Sequence, residues 1–356
     1  VTVPKADPMP LVPLLGQATK GLGIIATMTT AFYPPYLGAR LAATLDHITR
    51  GRAGINLVTA HNDRAAQNFG LERHHEHDKR YEMAAEWIDV VDKLWSSWAP
   101  GAVVADQDAG IYANVAKVRP IEHEGTYYRC RGPLNLPAGP QGRPVICQAG
   151  GSPAGRRFAA RYADTIIALV RDVAEAKAYR ADIAAKAAEA GRPADSCKVL
   201  FCVSVTMGES ADEAQERKRR RRAAQAANLE PRLAALSFFG ARDLSKLPLD
   251  EPVEREVTNA SRTMVEAYTK RGRTLREIAA DDEVNGIPFV GTPDKIASEM
   301  ADAMAEIGGD GFLFTEPLSR RNITEVTDGL VPELQRRGQT RRAYAHSRLR
   351  DNLLEF

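Results

Sequence analysis

The sequence predicts an α/β protein whose parallel sheet is closed as a barrel beneath its helices, and three observations carry that reading. Short β-branched runs alternate with longer amphipathic ones along most of the 356 residues. The runs are apolar throughout, which suits strands buried on both faces beneath helices. Roughly six such strand-helix units over a chain of this length favour a barrel over an open sheet.

The elements follow in order. "GLGIIATMTT" (21–30) reads as a strand, "PYLGARLAATLDHIT" (35–49) as a helix, "AGINLVTA" (53–60) as a second strand and "HDKRYEMAAEWIDVVDKLWSSW" (77–98) as a long helix. Then come "PVICQAG" (144–150), a helix from Pro153 to about Tyr162, "DTIIALV" (164–170), a helix across 173–190 and "KVLFCVSVTMG" (198–208). Late in the chain "TPDKIASEMADAMAEIG" (292–308), "DGFLFTE" (310–316) and "ITEVTDGLVPELQRRG" (323–338) read as helix, strand and helix. Two stretches break the rhythm, at about 100–136 and 209–285. Both are expected as insertions on one barrel domain spanning 1–356, placed at the C-terminal rim where loops vary while the scaffold stays fixed. "RKRRRR" (217–222) follows the acidic "ESADEAQE" on one predicted helix and reads as a solvated face.

A formal charge of +2 with 26% charged residues gives no reason to expect nucleic acid or an anionic membrane as partner. Cys130, Cys147, Cys197 and Cys202 form no C-x-x-C pair, which suits a reducing compartment, so a cytoplasmic location is expected. No apolar run is long enough to span a bilayer, and the first residues do not read as a signal peptide.

The densest group of titratable residues is "ERHHEHDKRY", Glu72 to Tyr81. A metal site is not favoured, because adjacent His74 and His75 cannot point together from a helix and no further ligand stands at metal spacing. His77 and Tyr81 are four residues apart, hence on one helical face, with Arg80 beside them. An imidazole, a guanidinium and a phenol on the first turns, where backbone N–H groups and the helix dipole favour anions, could cradle an anionic, partly aromatic ligand such as a phosphorylated flavin. An ordinary helix start, with a capping His and a core Tyr, is the other reading.

"QAGGSPAGRRFAARYAD" (148–164) places Gly-Gly-Ser after a buried strand and Pro at the start of a helix. Such a turn can bind phosphate through Ser152 and the first helical N–H groups, or be a plain turn with Ser152 as N-cap. Thr27 and Asn56 interrupt strands that otherwise look buried, and buried polar side chains need partners. There is no G-x-S-x-G elbow, no Cys beside a His, no G-x-G-x-x-G opening a helix and no P-loop, so nucleotide hydrolases and simple Rossmann dehydrogenases recede.

Taken together, "FYPPYLGARLAATLDHITRGRAGINLVTAHNDRAAQNFG", the HDKRY helix, "YYRCRGPLNLPAGPQGRPVICQAGGSPAGRRFAARYAD" and the late "VGTPDKIA", "DGFLF" and "LVPELQRRG" resemble the nitrilotriacetate and dibenzothiophene-sulfone monooxygenase branch of the bacterial-luciferase-like two-component flavin monooxygenases. The resemblance covers most of the chain. It implies a luciferase-like (β/α)8 barrel that takes FMN as FMNH2 from a separate NAD(P)H:flavin reductase, activates the co-substrate O2 as a flavin peroxide and oxygenates a small organic substrate. A homo-oligomer, dimer or tetramer, is expected. Carried over residue by residue, the resemblance puts Tyr81 and Ser152 at the phosphate with Arg80 as helper, and Thr27, Asn56 and His77 nearer the ring and ribityl chain. His77 is the expected catalytic residue.

Family members begin with a strand, a helix and a second strand before the part matching "DPMPLVPLLGQATKGLGIIATMTT", whereas this chain starts at "VTVPKADP". The N-terminal strands, and an acidic flavin neighbour on the second of them, are therefore expected to be missing from this chain. Two other functions compete with oxygenation: a flavin-degrading lyase acting on riboflavin or FMN, and a non-catalytic flavin-binding protein.

Overall fold

The computed structural model describes residues 6–240, 242–253, 259, 261, 265, 272–280 and 286–355. The opening "VTVPK" and parts of the expected insertion at 209–285 lie outside the described residues. The chain forms two compact units. One contains Lys5–Ala149, Arg161–Thr165 and Tyr344–Phe356; the described residues of the other lie in Gly150–Ala160 and Ile166–Ala343.

The first unit opens with helix α1 (Leu11–Ala18), strand β1 (Ile24–Thr29), helix α2 (Pro35–Ile48), strand β2 (Ala53–Val58), short helix α3 (Asp63–Gln67) and long helix α4 (His77–Trp95). Two small antiparallel pairs follow, β3 (Val103–Asp106) with β4 (Ile111–Ala113) and β5 (His123–Glu124) with β6 (Arg129–Cys130), before strand β7 (Val145–Gln148). β1, β2 and β7 are parallel in that order, with Thr27 opposite Asn56 and Asn56 opposite Cys147. All three therefore end at the same rim.

β1 departs from the expected fully buried strand. Ile24, Ala26 and Met28 are buried, but Ile25 and Thr27 are exposed. The alternation follows from its place at the end of the strand order with helices packed on one face only. On that covered face α2 and α4 approach so closely that a Cβ on Gly38 would collide with the Trp87 ring. The Trp87 and Trp95 indoles donate to the carbonyls of Tyr33 (2.6 Å) and Ala39 (2.9 Å), so both buried rings satisfy their one polar atom.

The opposite ends of these strands are tied by charge. Buried Arg52 donates to the carbonyls of Gly16 (2.6 Å), Thr19 (3.0 Å) and Thr49 (2.9 Å), pinning the end of α1 to the start of β2. Asp164 accepts from the backbone N–H of Ile146 (2.8 Å), from Arg143 (3.1 Å) and from both terminal nitrogens of Arg350 (2.8 and 2.9 Å). Arg350 belongs to the last helix of this unit (Leu349–Leu354), which its backbone also joins to Gln141.

The second unit takes helix α5 (Pro153–Tyr162) up to Ala160 and strand β8 (Thr165–Ala168) from Ile166, then α6 (Val173–Glu189), β9 (Lys198–Met207), α7 (Ala211–Ala227) and α8 (Glu230–Gly240). Further on are α9 (Leu275–Ala280), β10 (Ile287–Gly291), α10 (Pro293–Ile307), β11 (Gly311–Phe314), α11 (Arg320–Thr324) and α12 (Val331–Arg336); the last helix of the first unit is then α13. β9 is the long central strand, pairing in parallel with β11 through Leu200–Val203 and with β10 through Val203–Met207. Gly286 lies at φ +134° where a Cβ would strike the backbone of Cys202, so only glycine lets β10 enter there. α10 carries a full set of boundary signals: Thr292 caps the Lys295 N–H, Pro293 opens the helix and left-handed Gly308 closes it.

The helix expected over 323–338 is split into α11, a π-helical turn (Glu325–Leu330) and α12. Pro332 has no N–H to return to the carbonyl four residues earlier, which accounts for the loosened turn before it. On α7, Arg217 pairs with Glu213 and Glu325, while Arg219 and Arg220 pair with Glu216. The Arg219 and Arg220 pairs lie on an exposed helix face and contribute little stability.

Asp164 has a side chain only 7% exposed, so removing it strands buried donors and the Arg350 charge. Asp164→Ala is expected to lower unfolding stability by about 3–5 kcal/mol. Urea titration of Asp164→Ala, Arg350→Ala and the double variant checks this, with the double variant costing less than the sum of the singles.

Candidate functional site

The C-terminal ends of parallel strands are where α/β proteins gather ligand-binding groups, because loops can vary there without disturbing the sheet. In the first unit the strand ends carry Thr27, Asn56 and Gln148. Asn56 donates through its amide nitrogen to Thr27 Oγ1 at 3.1 Å, across the register that sets the two residues opposite each other. The other amide atom, Asn56 Oδ1, is buried and meets no hydrogen-bond donor.

Gln148 repeats the pattern one strand over. It is 2% exposed, its nitrogen points to Tyr81 Oη at 3.5 Å, and its Oε1 is buried with no hydrogen-bond partner. Two buried amide oxygens on neighbouring strands are costly unless a ligand donor satisfies them. The sequence reading quoted Gln148 as the first residue of the glycine turn but gave it no role. The signal was present: an amide closing an otherwise apolar strand.

His77 and Tyr81 share the first turns of α4, with ring centroids 5.2 Å apart. The structure thus brings together the pair that the four-residue spacing predicted. His77 is not a capping residue, because the helix N-cap is Glu76 and carries no side-chain cap bond. Its Nδ1 lies 2.6 Å from Asp78 Oδ1 and the imidazole is buried. Arg80 is 3% exposed and donates to the carbonyl of His75 at 2.8 Å. This fixes part of its guanidinium to the backbone while the charge stays at the helix start.

His74, set aside with His75 in the sequence reading, is also buried here. Its Nε2 lies 2.9 Å from the Thr59 carbonyl, which can only accept, so Nε2 carries the proton. Nδ1 is then an acceptor, buried and without a hydrogen-bond partner. Burial holds the His74 pKa below the usual histidine value; the charges of Arg80 and His75 push the same way, against the Thr59 bond and Asp63. No group of three or more His, Cys, Asp or Glu that could hold a metal ion occurs among the described residues.

In the second unit Ser152 is 4% exposed and its Oγ accepts the Gly155 N–H at 3.1 Å, while its carbonyl takes the Arg156 N–H at 2.9 Å. This is an N-cap, and the hydroxyl hydrogen is left to donate elsewhere. Tyr179 Oη and Arg156 Nε bind the carbonyls of Gly150 and Gly151, holding the turn from α6 and α5. Glu316, just beyond β11, also went unremarked in the sequence. Its Oε1 accepts the Val205 N–H, its Oε2 is buried without a partner, and burial pushes its carboxyl pKa up.

Parallel α/β units with polar side chains at their C-terminal strand ends define a barrel-class α/β enzyme. The family model described as luciferase-like monooxygenase matches residues 2–311. Dibenzothiophene-sulfone monooxygenase of Rhodococcus erythropolis is 37% identical over 98% of this chain and 79% of its own length. Nitrilotriacetate monooxygenase component A of Aminobacter aminovorans is 37% identical over 98% of this chain and 78% of its own. The crystal structure of riboflavin lyase (RcaE) with modified FMN and substrate riboflavin superposes with a TM-score of 0.91 at 32% identity, covering 99% of this chain and 79% of that one. The chain therefore belongs to the luciferase-like monooxygenase family, with the TIM-barrel fold class of that family, and is a flavin-dependent monooxygenase. No helix among the described residues is long and apolar enough to cross a membrane.

The His74 protonation state gives a direct test. With its folded pKa below the unfolded value of about 6.5, the unfolded chain binds a proton that the folded chain refuses as pH falls through that value. Stability is therefore expected to drop on going from pH 7.5 to 5.5, and His74→Gln, which can still donate to Thr59, should drop less. Equal urea-midpoint shifts in parent and variant would contradict a neutral His74.

Proposed function

We propose that the protein is an FMNH2-dependent monooxygenase that oxygenates a small organic substrate with O2, its reduced flavin delivered by an NAD(P)H:flavin reductase. The observation that carries the reading is the pair of buried, unpartnered amide oxygens of Asn56 and Gln148 beside the His77–Tyr81 pair. These acceptors suit a planar heteroaromatic ring with N–H groups at its edge, and the neighbouring hydroxyl and guanidinium donors suit a phosphate on its tail. Reduced FMN, when bound, supplies the electrons that activate O2. Asn56, steadied by Thr27, accepts from the ring or the ribityl chain, and His77 borders the ring. Tyr81 donates its hydroxyl to the phosphate, with Arg80 contributing charge, and in the second unit the Ser152 hydroxyl at the start of α5 suits a phosphate oxygen. Burial of His77 and Gln148 keeps water from their side of the ligand, which strengthens the hydrogen bonds there and protects the reaction from hydrolysis.

A separate reductase is supported by the name of the Aminobacter relative, a component A. The four thiols are free, which accords with a reducing, cytoplasmic setting. Substrates of the dibenzothiophene-sulfone or nitrilotriacetate kind are the first to test. The riboflavin lyase neighbour favours a second reading, in which riboflavin or FMN is itself the substrate. Product analysis separates the two: an oxygenated organic substrate in one case, a flavin cut at its ribityl chain in the other.

Calorimetric titration of the chain with reduced FMN under argon is expected to show saturable binding. Tyr81→Phe and Ser152→Ala should each weaken it by about 1.5–3 kcal/mol, the value of a hydrogen bond to a charged group. Undiminished affinity in both variants would disprove the phosphate assignment.

His77→Ala is expected to leave oxygen consumption running while raising the ratio of hydrogen peroxide to oxygenated product, since one member of the ordered, water-excluding shell is lost. The ratio is measured with a reductase and a competent substrate, beside a thermal melt of the same variant. An unchanged ratio at unchanged stability would return His77 to a purely structural role.

A further inference from the structure

Above the Thr27–Asn56 pair, just past the ends of β1 and β2, three rings form a stack. Phe32 and Phe69 lie parallel, centroids 4.2 Å apart with 6° between planes, and His74 stacks with Phe32 at 5.5 Å and 27°. His74 is buried, Phe32 is half-buried and Phe69 is 59% exposed.

Each ring stands on a fastened backbone. Phe32 and Tyr33 both donate their N–H to Thr29, and the Tyr33 carbonyl is held by the buried Trp87 indole. The Phe69 N–H returns to Ala66 at 2.9 Å behind α3, whose N-cap Asn62 holds the Ala65 N–H at 2.7 Å. His74 is fixed at two points, its N–H on Asp63 Oδ1 and its Nε2 on the Thr59 carbonyl. A neutral imidazole is the form that packs against an apolar ring without the cost of a buried charge. The Thr29 and Thr59 carbonyls that hold Phe32 and His74 stand at the C-terminal ends of β1 and β2, which anchors the stack at that rim.

A single exposed apolar side chain needs no explanation. A phenylalanine lying parallel on a half-buried ring that is itself backed by a buried imidazole, at the C-terminal rim of a parallel sheet, does. Its outer face is apolar, planar and preorganised, and planar π-systems prefer such a face to a puckered aliphatic one. We propose that Phe69, backed by Phe32 and positioned through His74, is a specificity-determining residue whose exposed face receives the planar, apolar part of the substrate. This deepens the monooxygenase reading and rests on it for the word substrate, but the platform itself requires no flavin.

The experiment measures binding to the flavin-free full chain by calorimetry, using 2-naphthol and its saturated counterpart decahydro-2-naphthol, which share the hydroxyl and the ring connectivity but differ in planarity. The parent chain is expected to bind 2-naphthol saturably and at least about tenfold more tightly than the saturated alcohol. Phe69→Ala should lose about tenfold in 2-naphthol affinity and abolish the preference, while Phe69→Tyr should keep both. The thermal melt of Phe69→Ala should match the parent, as suits an exposed ring. Equal binding of the two alcohols by the parent, or equal 2-naphthol affinity in parent and Phe69→Ala, would overturn the proposal. Either result leaves the flavin titrations untouched, and their failure would in turn leave this preference for planar ligands standing.

Discussion

The Asp164 carboxylate is the interaction on which the first unit depends most. It sits just before β8, yet it binds the backbone of β7, the guanidinium that precedes β7 and the arginine of the final helix. Arg143 reaches onward from it to Asp92 on α4 and to the Tyr162 carbonyl at the end of α5. One buried anion therefore sets the spacing of strand, helices and chain end together. A neutral side chain of the same size could hold some of these donors but not two guanidinium groups at once.

In the first unit the Arg52 and Asp164 clusters lie at the N-terminal ends of the strands, while the groups toward the C-terminal ends of β1, β2 and β7, Thr27, Asn56 and Gln148, are uncharged. That division has a physical reason. Ion pairs with full sets of partners make a rigid base, whereas a ligand rim must keep some donors and acceptors unspent for what it binds. Asn56 Oδ1, Gln148 Oε1 and His74 Nδ1 are such groups, and each costs roughly 1–3 kcal/mol while it lacks a partner. The base offsets what the rim gives up.

Much of this was legible in the sequence. The β1, α2, β2, α4, β7, α5, α6, β9 and α10 segments fall where periodicity put them because each has the residues its state demands, from the run of β9 (Lys198–Met207) to the Thr292, Pro293 and Gly308 boundaries of α10. β10 was not anticipated, since Pro288 interrupts a run of five residues and proline argues against a strand when only sequence is known. α1 carries prolines at its cap and third residue, and α13, LRDNLL, is only six residues long, too short a stretch for periodicity to decide. At the rim, the His77–Tyr81 pairing followed from helical spacing and was visible. The roles of Gln148, His74 and Glu316 were not, because a polar residue at a strand end looks the same whether its partner is backbone, water or ligand, and only the three-dimensional list of partners distinguishes them.

The three histidines of the ERHHEHDKRY packet show how tertiary context divides similar side chains. His74, His75 and His77 lie within four positions, and a sequence cannot say which of them is aromatic filler, which offers a carbonyl and which faces a partner ring. In the fold His74 becomes a neutral plate under Phe32, His75 supplies its carbonyl to Arg80, and His77 meets Tyr81 at a tilt at the helix start. The first two serve the third: the His75 carbonyl restrains Arg80, and the Thr59 bond to His74 seats the loop that delivers α4 to the strand ends. A packet that resembles a metal motif on paper is, in the fold, a hinge between strand β2 and helix α4, and its chemistry is available at the rim because the other histidines hold the turn in place.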